Sequence, residues 1–169
     1  MKTAPSSTVE DSAIRQQCKL LRLPTVAGQF RSLAEQAVRE KQSRSGYLEA
    51  LLQAEVEERE RNTIQRRLRE ARLPRMKTLE EFDFAQASKV SAAQIRELSD
   101  GSCIERSEPV LFMGECGTGK THLMTGLCVA ACRQKRRVRF TTTAALVNEL
   151  AEAKQQLQLE PLAGSLGAV

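Results

Sequence analysis

The sequence predicts an α/β chain, a helical N-terminal module followed by an incomplete P-loop domain built on a parallel sheet. Three observations carry that expectation. Apolar residues from Ile14 to Leu68 recur with the 3.6-residue period of helices. From Pro109 the pattern changes to strand, loop, helix, strand, helix, the start of a parallel sheet. Between the first of those strands and the helix after it stands a glycine-rich stretch, Gly114–Thr121. The sheet is expected to be incomplete because no segment after Thr142 reads as a further strand.

Residues 1–10 read as a loose, flexible tail. Ile14, Cys18 and Leu21 share a helix face that Pro24 closes. A second helix is expected from Thr25 to Lys41, with Val26, Phe30, Leu33, Ala34, Ala37 and Val38 on its apolar side. A third starts after Ser45, places Tyr47, Leu48, Leu51, Leu52 and Val56 on one side, and continues through Ile64 and Leu68 towards Pro74. Together they form a helical module over residues 11–77. The third helix changes character midway. Glu55, Glu57, Glu58 and Glu60 come first; Arg61, Arg66, Arg67, Arg69, Arg72, Arg75 and Lys77 follow, with only Glu70 among them. Pairs such as Glu55–Arg59 and Glu57–Arg61 explain the acidic half as a solvated, ion-paired helix. The basic half fits either that reading or a face for nucleic acid.

The second domain is expected over residues 78–158. It opens on FDFAQ (Phe82–Gln86), then a short helix, Ala92–Leu98, and a turn at Asp100-Gly101. VLFMG (Val110–Gly114) has the continuous apolar character of a strand buried in a parallel sheet. A helix from about Lys120 to Arg133, a strand at Arg137–Thr142 and a helix at Ala144–Lys154 complete the pattern. Residues 159–169 form an atypical, Gly-rich tail.

Composition narrows the function classes. The 169 residues are 41% apolar and 28% charged, ordinary for a globular chain, and the net charge of +5 leans towards an anionic partner. One tyrosine and no tryptophan weigh against a base-stacking surface. The start, MKTAPSSTVEDSA, lacks the apolar core of a secretory signal, and no stretch reaches the ~18 apolar residues of a membrane span. A cytoplasmic protein without a membrane partner is expected. Five cysteines without a Cys-x-x-Cys pair argue against a disulfide framework or a zinc site, and Cys128 and Cys132 read as small buried apolar residues on one helix face. His122, the sole histidine, has no further metal ligand at a suitable spacing.

Gly114-x-x-x-x-Gly119-Lys120-Thr121 matches the P-loop pattern at every fixed position. Gly117 and Gly119 allow backbone conformations that turn successive N–H groups inward as a nest for oxyanions. Lys120 brings an ammonium to the β- and γ-phosphates, the Thr121 hydroxyl ligates Mg²⁺ through the nucleotide, and the following helix points its N-terminal dipole at the same phosphates. Nucleotide binding is expected at Gly114, Glu115, Cys116, Gly117, Thr118, Gly119, Lys120, Thr121 and His122. Hydrolysis on such a loop needs an acid at the end of a second apolar strand. The acids after Thr121 are Glu149, Glu152 and Glu160, none of them so placed, and the last arginine is Arg139. No catalytic residue is therefore assigned, and hydrolysis is not expected.

Leu21–Phe84, from LRLPTVAGQF to KTLEEFDF, resembles the N-terminal part of IstB-like transposition helper ATPases. Gly114–Leu150, from GECGTGKTHL to TTTAALVNEL, resembles the start of their AAA+ domain, akin to the DnaC helicase loader. The resemblance implies that ATP is the nucleotide and that Gly114, Gly117, Gly119, Lys120 and Thr121 bind it. It further implies that the helical module contacts a transposase or neighbouring subunits, and that ATP-dependent oligomers assemble on DNA. Glu115-Cys116 departs from the family's Pro-rich pair, and Lys135 stands where a helix-ending glycine is common. The Walker B acids, sensors and intersubunit arginine are expected to be missing, which makes the chain a truncated form. EPLAGSLGAV (Glu160–Val169) leaves the family's wording and is expected to stem from a frameshift.

Two functions follow. The first is an ATP-binding, IstB-like transposition helper. The alternative is a non-enzymatic helical module for DNA or transposase with a vestigial P-loop. A small P-loop kinase would need an Arg-rich lid and an acceptor-site acid beyond the loop, and neither is seen.

Overall fold

The helical period of the first 70 residues is realised as three helices. The computed structural model describes residues 6–87 and 90–166. Its contacts divide the chain after Gln65, within the third helix, into two compact units.

In the N-terminal unit, α1 spans Ser6–Leu20, α2 spans Pro24–Arg39 and α3 starts at Arg44. α1 thus begins inside the segment expected as a tail; residues 1–5 of that segment lie outside the described residues. Pro24 opens α2, where its missing N–H costs nothing. The end of α1 is a two-bond cap: Leu23 N–H donates to Cys18 O at 2.8 Å and Arg22 N–H to Lys19 O at 3.2 Å, with Arg22 left-handed at φ 56°. α2 ends in the same way on Lys41, at φ 53°. Cys18, Phe30, Ala37 and Leu51 form the buried apolar centre. Among the described residues of this unit the buried charge is Glu55, 3% exposed. Glu55 Oε2 accepts from the N–H groups of Thr25 and Val26 at 2.9 and 3.1 Å, and Oε1 from Arg59 at 2.9 Å. An α3 carboxylate therefore caps α2, whose own N-cap, Leu23, offers no side-chain acceptor. Tyr47 Oη donates to Phe30 O at 2.9 Å.

In the C-terminal unit, α3 ends at Glu70, four residues before Pro74, and Arg72 takes a left-handed φ of 52°. α4 (Ala92–Ser99), α5 (Ser102–Glu105), α6 (Lys120–Arg133) and α7 (Thr143–Leu166) follow. The core gathers on α6, where Leu123, Thr125, Val129, Ala131 and Cys132 are buried, with Ile95 of α4 and Cys103 of α5. Gly126 lets Leu79 lie against α6; a Cβ there would stand 2.6 Å from Leu79 Cδ2. Lys135 terminates α6 at φ 65°, with Arg136 N–H on Ala131 O and Lys135 N–H on Cys132 O, so the position lacking the common glycine does adopt the conformation that favours one. All five cysteines are free, and burial raises the thiol pKa of Cys128 and of Cys132.

The expected α/β class is corrected here. No strand forms among the described residues. The two segments expected as strands, residues 110–114 and 137–142, make no ladder among the described residues: Phe140 N–H donates to Ala71 O at 2.8 Å. Leu111 and Met113 are 79% and 89% exposed, the reverse of a strand buried on both faces. Strand patterning supplies apolar residues, but a strand exists only with a ladder partner. α7 is also longer than expected and runs on through Leu166, into the segment set apart as a tail.

Candidate functional site

The glycine loop lies immediately before α6. Gly117 and Gly119 have φ of 83° and 84°, a region in which any side chain would be strained. Gly119 is the N-cap of α6, so the loop ends where the helix presents its free N–H groups. Contact adds a second constraint at Gly119, because a Cβ there would stand 2.7 Å from Phe82 Cε2. Thr118 Oγ1 donates to Glu115 O at 2.9 Å and tightens the turn. Lys120 Nζ lies back over the loop, donating to Gly114 O at 2.8 Å and to Glu115 O. Thr121, in the first turn of α6, is exposed, and its carbonyl accepts from Thr125 Oγ1 at 2.7 Å. Glu115 and Cys116 are exposed. The left-handed glycines, the helix N-terminus and an ammonium at the loop together fit a polyphosphate. No group of three metal-ligating side chains occurs among the described residues.

His122 is held in place. Its Nε2–H donates to Thr78 O at 2.9 Å, and its ring meets Phe82 edge-on at 5.2 Å. It faces a cavity of about 600 Å³ that Gly117, Thr118 and Gly119 share with Phe82, Asp83 and Gln86. Phe82, Asp83 and Gln86 belong to the FDFAQ stretch, to which the sequence reading gave no role. The signal was there: two of five phenylalanines within three residues, beside an acid and an amide.

Arg61 pairs with Glu58 at 2.7 Å, and Arg66 and Arg67 both reach Glu70, at 3.9 and 3.0 Å. Arg67 also donates to Lys135 O, and its side chain is only 15% exposed. Arg69 is exposed on α3; Arg72 and Arg75 are exposed beyond its end. Lys77 lines the cavity beside the glycine loop. No helix among the described residues is long and apolar enough to cross a membrane.

The profile of the family described as IstB-like ATP binding protein matches residues 16–166, reaching into the segment set apart as an atypical tail. An insertion sequence IS5376 protein of Geobacillus stearothermophilus, named for ATP binding, is 37% identical over 147 residues, covering 87% of this chain and 59% of its own. A similarly named insertion sequence protein of Sinorhizobium fredii is 37% identical over 155 residues, covering 91% and 52%. The insertion sequence IS21 counterpart of Pseudomonas aeruginosa is 37% identical over 140 residues, covering 83% and 53%. The chain thus spans between half and three fifths of the length of these relatives. It belongs to the family of IstB-like ATP-binding proteins.

Proposed function

We propose that this chain binds ATP with Mg²⁺ at the loop Gly114–Thr121 and serves as a nucleotide-binding helper in transposition. The supporting observation is the loop itself, with left-handed glycines running into the N-terminus of α6 and Lys120 at its mouth. When bound, the nucleotide supplies the negative charge that the loop is built to receive, and its phosphates bring the Mg²⁺. The N–H groups of Gly117–Lys120 would hold phosphate oxygens, Lys120 would exchange its carbonyl partners for them, and Thr121 Oγ1 would face the cation.

Replacing Lys120 with Ala removes charge-assisted hydrogen bonds worth about 1.5–3 kcal/mol, so ATP affinity should fall roughly 10- to 150-fold. Titration calorimetry giving equal affinity for both proteins would reject the site.

The helical module is proposed to meet DNA, a transposase or a further copy of the chain. Leu48, Leu52 and Val56, spaced by one helical turn along α3, are exposed and support a protein contact. The exposed Arg72 and Arg75 support a contact to a nucleic-acid backbone.

A further inference from the structure

We propose that a second copy of this chain docks on the N-terminal unit, seating the exposed Leu48, Leu52 and Val56 of its α3 in the cleft between α1 and α2, with its Glu49 and Glu57 against Arg15, Lys19 and Arg22. The inference rests on the reading of the helical module as a contact surface and chooses a further copy as the partner. It needs neither a nucleotide nor the glycine loop, because both patches lie before Gln65, within one compact unit. The cleft, of about 530 Å³, has Cys18, Leu23, Pro24 and Ala27 as its apolar floor. Arg15, Lys19 and Arg22 stand on its rim, all three exposed. They follow one another by about one helical turn, and like charges at that spacing repel. Among the described residues no carboxylate pairs with any of them. An apolar floor under unopposed cations fits an acidic, amphipathic helix.

Gly28 points the same way. It lies inside α2 and on the cleft, and a Cβ added there would meet nothing within 4 Å. Glycine in a helix interior is less stable than alanine, and the chain's own packing gives no reason for it here. It leaves room for another helix to approach closely. The chain carries the matching face itself. On α3, Leu48, Leu52 and Val56 form one row, 56%, 50% and 50% exposed. Glu49, Gln53 and Glu57 form the next row, and all three are exposed. Gln53 donates to Glu57 at 2.9 Å, and neither carboxylate has a cationic partner among the described residues. Glu49 and Glu57 stand about 12 Å apart along α3, and Arg15 and Arg22 about 10 Å apart along α1 and its cap. The apolar row thus meets the apolar floor, and the acidic row meets a basic rim of similar length.

The test is sedimentation of the full 169-residue chain over a range of concentrations without nucleotide, with circular dichroism to confirm that each variant folds. Wild type should associate, and less so at high salt. Lys19→Glu with Arg22→Glu reverses the cleft; Glu49→Lys with Glu57→Lys reverses the α3 face. Each pair of changes should weaken self-association at least about tenfold, because like charges then meet. An equimolar mixture of the two variants again opposes unlike charges and should associate. Gly28→Leu puts a side chain into the cleft; it should leave thermal stability in place and weaken association about as much. Charge variants or Gly28→Leu that associate like wild type, or a mixture that stays monomeric, would overturn the docking. Association that appears only with Mg-ATP and is lost in Lys120→Ala would also overturn it and place the contact on the C-terminal unit. A wild-type chain that stays monomeric while calorimetry still shows ATP on the loop would overturn the docking and spare both the nucleotide site and a contact of the module with DNA.

Discussion

At Glu55, burial and hydrogen bonding pull one carboxyl in opposite directions. Burial alone would raise its pKa; the Val26 N–H, Arg59 and the Thr25 N–H outweigh burial and hold it below the ordinary carboxylate range. A group whose folded pKa is depressed adds stability that is fully present above its unfolded pKa and is lost as pH falls through the folded one. Glu55→Gln should therefore cost about 1–3 kcal/mol at neutral pH, because a buried charge-assisted cap is replaced by a weaker one. Its deficit against wild type should shrink as pH drops below the carboxylate range. Denaturant unfolding at neutral and acid pH checks this, and a deficit independent of pH would show that shape rather than charge matters there. Lys135 offers the opposite case. Its left-handed backbone at the end of α6 is strained for a lysine and free for glycine. Lys135→Gly should stabilise the C-terminal unit by about 0.5–1 kcal/mol after the extra entropy of glycine in the unfolded chain is deducted. A loss on chemical unfolding would mean that contacts of the lysine side chain exceed the strain.

Elements were legible in proportion to how local their causes are. α6 was readable to its ends because Gly119, the apolar run and the charged Arg133–Lys135 stretch all lie within it or beside it. The glycine loop was readable for the same reason, its conformation being a property of Gly117 and Gly119 themselves. The strands were misread because VLFMG and RVRFTT carry strand composition, whereas strand formation depends on a distant partner, and Phe140 instead bonds to Ala71. The cavity residues Phe82, Asp83 and Gln86 were missed because they reach the loop through tertiary packing, which no periodicity encodes. The basic run reads equally as a solvated, ion-paired helix or as a face for nucleic acid; α3 stops at Glu70, so Arg72 and Arg75 follow a different backbone course from Arg66 and Arg67. If these later arginines track a duplex backbone, Arg72→Gln with Arg75→Gln should flatten the log–log dependence of DNA affinity on salt by about two units. The already paired Arg67 should contribute much less. An unchanged slope in the double variant would leave Arg72 and Arg75 as solvated surface.

For the whole molecule, the division after Gln65 separates the capped helices from the glycine loop, and it makes a prediction about stability. A ligand that binds only the folded state stabilises it by about 2.7 kcal/mol at a hundredfold excess over its Kd. Mg-ATP on the loop acts on the C-terminal unit alone, if the two units unfold separately. For a unit of about a hundred residues that gain corresponds to a rise in Tm of roughly 10–20 °C. The chain carries its own reporter, since its only tyrosine, Tyr47, lies in the N-terminal unit and there is no tryptophan. Tyr47 donates to Phe30 O and is shielded enough that burial raises its pKa, so its fluorescence should change when that unit melts. Helical circular dichroism reports both units. Heating with saturating Mg-ATP should move one part of the dichroism transition upward while the Tyr47 transition stays in place, and Lys120→Ala should abolish the movement. A Tyr47 transition that rises together with the dichroism would show that the two units unfold as one, with the ligand's stabilisation shared across the chain.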